Sequence, residues 1–120
     1  MYVDLKRAFD TISIPILLKK LEAYGCNEAF VRWISSYLTD RQQVVNVRGK
    51  MSQPMSLSVG VAQGSIGGPL LFNLFVNDVF SVTSHCKLAL YADDTTALFS
   101  GDSVKAVVDM INDDVRKLAA

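Results

Sequence analysis

Two adjacent aspartates, Asp93 and Asp94, separate the strand-like runs at residues 87–91 and 95–100, and a third, Asp4, lies in a short run at residues 1–5. A tight hairpin turn is normally eased by Asn-Gly or Asp-Gly; this pair has no glycine, so turn chemistry explains it poorly. Two carboxylates side by side repel, and a hard divalent cation relieves that repulsion. Mg²⁺ prefers oxygen ligands and accepts one or two carboxylates, with water and substrate phosphate completing its shell. A third carboxylate one strand away, about 4.8 Å, lets two ions sit together, the layout of two-metal phosphoryl transfer. Taken alone, an Asp-Asp dipeptide is more often a solvated turn, so its context has to decide.

The elements that must position these carboxylates are legible in outline. Residues 1–5 read as the end of a strand. Ser13 before Ile14 and Pro15 starts a helix whose apolar face is Ile14, Leu17, Leu18 and Leu21, and Gly25 stops it. Asn27 caps a second helix, with Phe30, Val31, Ile34, Tyr37 and Leu38 repeating at three- and four-residue intervals. Residues 42–47 form a strand ending in a turn at Gly49, and residues 56–59 are placed to pair with it. Gly60, Gly64, Gly67 and Gly68 lead to Pro69 and then to a largely buried helix carrying Leu70, Leu71, Leu74, Phe75, Val79 and Phe80. These glycines match neither the P-loop nor the dinucleotide fingerprint. Residues 87–91 and 95–100 make a hairpin, and Ser103 caps a last helix from Val104 to Leu118. This order predicts an α+β fold, with an antiparallel sheet and helices packed on one face, in a single domain over residues 1–120.

Lys plus Arg equals Asp plus Glu at 12 each, so the summed charge offers no basic field of the kind that binds polyanions. Cys26 and Cys86 fit no ligand spacing and read as reduced thiols of an intracellular protein. His85 beside Cys86 lacks the partners of a four-ligand set and reads as a loop residue. No apolar run reaches the length of a membrane span, and Asp4, Lys6 and Arg7 stand where a signal peptide needs apolar residues. The expectation is a protein with no membrane partner.

Several motifs in order give the acidic pair its context. Val3-Asp4-Leu5-Lys6-Arg7-Ala8-Phe9-Asp10 comes first, then Gly60-Val61-Ala62-Gln63-Gly64-Ser65-Ile66-Gly67-Gly68-Pro69-Leu70-Leu71-Phe72, then Tyr91-Ala92-Asp93-Asp94. Between the first two runs Tyr37-Leu38-Thr39-Asp40-Arg41-Gln42-Gln43-Val44, and Asn77-Asp78 closes the second. The set resembles the reverse transcriptases of non-LTR, LINE-like retrotransposons over nearly the whole chain. That resemblance implies an incomplete polymerase palm subdomain acting as an RNA-directed DNA polymerase. Asp4, Asp93 and Asp94 would be its catalytic, metal-binding carboxylates, holding two Mg²⁺ ions with Mn²⁺ as a substitute. It implies a steric gate against ribonucleotides at Phe9, contacts to the incoming nucleotide and nascent pair at Gln63 and Gly64, and proximity to the primer end for Tyr91 and Ala92. Arg41 is divided evenly between supporting the fold and touching nucleic acid, and Asp10 reads as structural.

The partners implied are an RNA template, a DNA primer, a dNTP and the fingers and thumb of a parent protein, found in a cytoplasmic ribonucleoprotein that reaches the nucleus. Ala62 replaces the usual proline of the second motif, Gly67 a leucine-like residue and Phe75 a frequent tyrosine, none of them a proposed ligand. With fingers and thumb absent, the isolated chain is expected to polymerise little. The alternative is an inactive or domesticated remnant acting at most as a binding module.

Overall fold

The computed structural model describes residues 1–4, 7–62, 64–91 and 94–118, with the side chains of Val3 and Asp4 outside that description. The chain divides into two compact units: Met1–Ala8 with Val76–Ala120, and Phe9–Phe75. The α+β class is as expected, and among the described residues every strand pairing is antiparallel.

In the first unit, β1 (Tyr2–Asp4), β6 (Lys87–Tyr91) and β7 (Asp94–Leu98) form one sheet in the order β1-β7-β6. The β6–β7 hairpin pairs Leu88 with Ala97 and Leu90 with Thr95. Side chains alternate across a sheet, and these four positions share its more covered face: Thr95 and Ala97 are buried, Leu88 and Leu90 half-buried. Asp94 and Tyr91, also directly opposite one another, belong to the exposed face. The unit also holds α4 (Val79–Val82) and α5 (Val104–Leu118). Ser103 caps α5 as expected, its Oγ accepting from the Ala106 N–H at 3.2 Å.

In the second unit, a 3-10 turn at Ala8–Asp10 carries the chain in from the first, and α1 (Ile14–Ala23) and α2 (Glu28–Leu38) follow. Their start signals behave as read. Ser13 and Pro15 open α1, and Asn27 Oδ1 accepts from the Phe30 N–H at 2.8 Å to cap α2. Ile14, Leu17 and Leu21 of α1 are buried, as are Val31, Ile34 and Leu38 of α2, together with Ile12, Val61, Leu71 and Phe72. Burial of side chains this size stabilises by about 1.5–3 kcal/mol each, so most of the apolar core belongs to this unit.

The 42–47 strand is broken in two. β2 (Arg41–Gln43) pairs with β5 (Met55–Leu57), and β3 (Asn46–Val47) pairs with β4 (Lys50–Met51) across the turn at Arg48 and Gly49. The expected helix through residues 70–80 is likewise split, with α3 (Gly67–Val76) ending before Asn77-Asp78 and α4 beginning after it. Leu70 and Phe80 are 59% and 50% exposed rather than core. Of the α2 residues that repeat at three- and four-residue intervals, Val31, Ile34 and Leu38 are buried, while Phe30 and Tyr37 are each 38% exposed. Among the described residues no helix is long and apolar enough to cross a membrane.

Candidate active site

Asp4 pairs directly with Asp94 across β1 and β7, and Asp94 pairs on its other side with Tyr91 across the hairpin. The sheet therefore sets two carboxylate-bearing positions opposite one another on adjacent strands. The ordering hydrogen bonds extend to the chain start: the Met1 ammonium donates to the Ala97 carbonyl and the Ala97 N–H to the Met1 carbonyl, both at 2.8 Å. Tyr91 is 85% exposed beside Asp94. Among the described residues the Asp94 carboxylate has no hydrogen bond or ion pair that would neutralise it. Gln63, Ala92 and Asp93 lie outside the described residues, and Asp4 is located by its backbone.

The other proposed contacts, Phe9 and Gly64, belong to the second unit. There the end of the first motif is laced to the start of the second: the Gly60 N–H donates to the Ile12 carbonyl at 2.8 Å and the Val61 N–H to the Phe9 carbonyl at 2.9 Å. Gly60 is required twice over. Its φ is +81°, and a Cβ there would stand 2.8 Å from the Asp10 carbonyl oxygen. The half-buried Phe9 ring stacks on Phe72 of α3, centroids 4.6 Å apart. Ser65 fastens the glycine loop, donating its hydroxyl to the Ala62 carbonyl at 2.7 Å and accepting the Gly68 N–H at 2.9 Å at the head of α3. Gly64 is exposed with φ +78°, and no atom stands within 4 Å of where its Cβ would be, so the protein itself demands glycine there for conformation rather than for space. A cavity of about 850 Å³ opens beside this segment, lined by Asp10, Arg41, Gln42, Gln43, Gly60 and Ala62 among others. Arg41 resolves toward support: its guanidinium donates to the carbonyls of Leu38, Val59 and Gly60, tying the end of α2 to the glycine segment.

One group that sequence reading passed over is Asp114. Its side chain is fully buried and accepts three backbone N–H groups, from Ser84 at 3.0 Å, His85 at 3.0 Å and Cys86 at 3.1 Å, fastening α5 to the loop that feeds β6. Burial pushes its carboxyl up, but the Ser84 and His85 amides, the Cys86 side chain and the charge of His85 together hold it below the ordinary carboxylate value. The Cys86 thiol is pushed up by its own burial and further by Asp114. The signal was present: Val107, Ile111, Asp114 and Leu118 fall in one helical row, and a charge within an apolar row needs buried partners. His85, Asp113 and Asp114 bring potential ligand atoms within 4.8 Å of one another. The Lys117 ammonium, however, is 2.7 Å from Asp113 and 3.9 Å from Asp114, so the cluster already has its cation.

Comparison with known proteins agrees with the order of the motifs. Residues 1–119 match the family model described as reverse transcriptase (RNA-dependent DNA polymerase). The chain is 30% identical over 83% of its length to a retrovirus-related Pol polyprotein from a type-1 retrotransposable element R2 of Popillia japonica. It is 30% identical over 100% of its length to a probable RNA-directed DNA polymerase from transposon BS of Drosophila melanogaster, and 31% identical over 88% to the RNA-directed DNA polymerase from mobile element jockey of the same species. It spans 18%, 14% and 12% of those relatives' own lengths.

Proposed function

Because the chain belongs to the reverse transcriptase (RNA-dependent DNA polymerase) family, with its affinities among non-LTR retrotransposons, we propose that it forms the palm core of an RNA-directed DNA polymerase, which extends a primer 3′-hydroxyl with deoxynucleoside triphosphates on an RNA template. The observation that carries this reading is the strand register that sets Asp4 opposite Asp94. Like charges directly opposite one another destabilise a sheet, and an oxygen-only donor set suits Mg²⁺, with Mn²⁺ as a substitute. Asp4, Asp93 and Asp94 would hold the metal. When bound, it supplies positive charge where the primer hydroxyl loses its proton and where pyrophosphate departs.

The remaining work of the chain is positioning and selection. Phe9, stacked on Phe72, offers the bulk that a ribose 2′-hydroxyl would meet. Gln63 brings a side-chain amide able to donate and accept hydrogen bonds at the nascent pair, and Gly64 leaves room for a close approach by nucleotide. Tyr91, exposed next to Asp94, meets the primer end together with Ala92.

The test is DNA synthesis on a primed RNA template by the polypeptide that carries this chain. Asp93→Ala is expected to abolish synthesis, and Asp94→Asn to reduce it steeply, with both variants expressed at normal levels. Retained synthesis in Asp93→Ala removes Asp93 from the site. A wild-type polypeptide without synthesis points instead to the remnant that only binds.

A further inference from the structure

Charge along the chain is not evenly mixed. No acidic residue occurs between Asp40 and Asp78, whereas Arg41, Arg48 and Lys50 all fall in that interval. Arg41 is committed to the backbone carbonyls of Leu38, Val59 and Gly60. Arg48 and Lys50 are exposed, and among the described residues neither side chain has a hydrogen bond or an ion pair. They stand at the tip of the β3–β4 hairpin, where Val47 pairs with Lys50 and only Arg48 and Gly49 make the turn.

That tip is a built turn. Arg48 and Gly49 have φ values of +51° and +81°, and Asn46 Oδ1 accepts the Gly49 N–H at 3.0 Å. Ser52 closes the ribbon behind it, its hydroxyl accepting the Val45 N–H at 2.9 Å and its own N–H donating to the Val45 carbonyl at 2.9 Å. A turn with φ > 0 at both central residues favours Asn-Gly. Arginine at the first of them is a less comfortable choice for the backbone. Every residue from Gln42 to Ser56 is exposed, so the ribbon is a free surface bearing two unneutralised cations and the amides of Gln42, Gln43, Asn46 and Gln53.

We infer that the tip of this ribbon, Arg48 with Lys50, is a contact to the sugar–phosphate backbone of the template–primer duplex. Arg48 presents a planar fork suited to two phosphate oxygens, and Lys50 a point charge. The inference rests on the polymerase reading for the identity of its polyanion. It assigns the ribbon a role in affinity, with no part in the chemistry.

The experiment measures equilibrium binding of the carrying polypeptide to a fluorescent RNA–DNA hybrid over a range of salt concentrations. Arg48→Asn with Lys50→Gln installs the Asn-Gly pair that the turn prefers, so the ribbon keeps its shape while losing both charges. The expected result is binding weakened at least about tenfold near 0.1 M salt, with the log–log salt slope reduced by about 1.5–2. A charge-matched control, Lys105→Gln with Arg116→Gln on α5, is expected to leave both quantities close to wild type. Unchanged affinity and slope in the ribbon variant overturn the inference and leave the ribbon to a protein partner; an equal loss in the control overturns it as a general charge effect. Asp94→Asn separates this from the polymerase reading. Retained synthesis in that variant defeats the metal-site assignment without touching the ribbon, and a ribbon variant that binds normally defeats the ribbon while the site stands.

Discussion

The half-buried Phe9 ring stacks on Phe72, with 4.6 Å between centroids. In the proposed reading this one residue both packs against Phe72 and selects the sugar. Phe9→Val keeps an apolar side chain against Phe72 while removing the bulk of the ring. The expected outcome is increased ribonucleotide incorporation relative to deoxynucleotide, read from single-nucleotide extension with competing substrates; unchanged sugar selectivity removes the gate role. Gly60 is the complementary case, where a missing side chain matters, since any Cβ would collide with the Asp10 backbone and the φ of +81° suits glycine alone. The contact it permits keeps the first and second motifs laced together.

At the scale of elements, the β6–β7 hairpin that presents Asp94 is anchored at its entry by α5. Asp114 accepts Ser84 on one carboxylate oxygen and both His85 and Cys86 on the other. Asp114→Asn is nearly isosteric, but one oxygen becomes an NH₂ group facing a backbone donor, so at least one buried N–H loses its acceptor. The thermal midpoint is expected to fall by roughly 5–10 °C, with hydrogen exchange at Ser84–Cys86 accelerated most. Asp113→Asn, which disturbs partly exposed contacts with Lys117 and the His85 ring, is expected to do much less. Equal losses in the two variants would remove the anchoring role of Asp114.

At the scale of the whole chain, a net charge of zero conceals a division. Phe9–Phe75 carries six Lys and Arg against four Asp and Glu, and the other unit carries the reverse excess, with six against eight. The acidic excess includes the proposed metal ligands and the basic excess includes the ribbon tip. The α5 cluster also predicts how stability follows pH. The Asp113 and Asp114 carboxyls titrate below their ordinary value of 3.8, so they contribute stability that is fully present above the unfolded value and lost as pH falls through the folded ones. Lys117 is raised above its ordinary 10.5 by its hydrogen bond to Asp113, so its contribution is present below that value and lost as pH rises through the folded one. Thermal midpoints measured across pH are expected to drop at the acid end, and this acid drop should shrink in Asp114→Asn.

What the sequence determined by itself was local or written in residue type. Asn27 and Ser103 mark helix starts because a cap needs only its own next turn, and Pro15 because its ring suits a first turn; the β6–β7 hairpin follows from two apolar runs separated by a short break. The ordered motifs placed the chain in its family for the same reason, since each is a contiguous run. Its errors came where a neighbour decides. Leu70 and Phe80 are apolar at helical spacing, yet which row of a helix is buried depends on what packs against it. Only the tertiary structure could put Asp4 across from Asp94, because the register of strands from opposite ends of the chain is set by cross-strand pairing rather than by local spacing. Only it could give Asp114 three backbone donors and commit Arg41 to three carbonyls, since a polar group's role is fixed by the partners that burial brings to it.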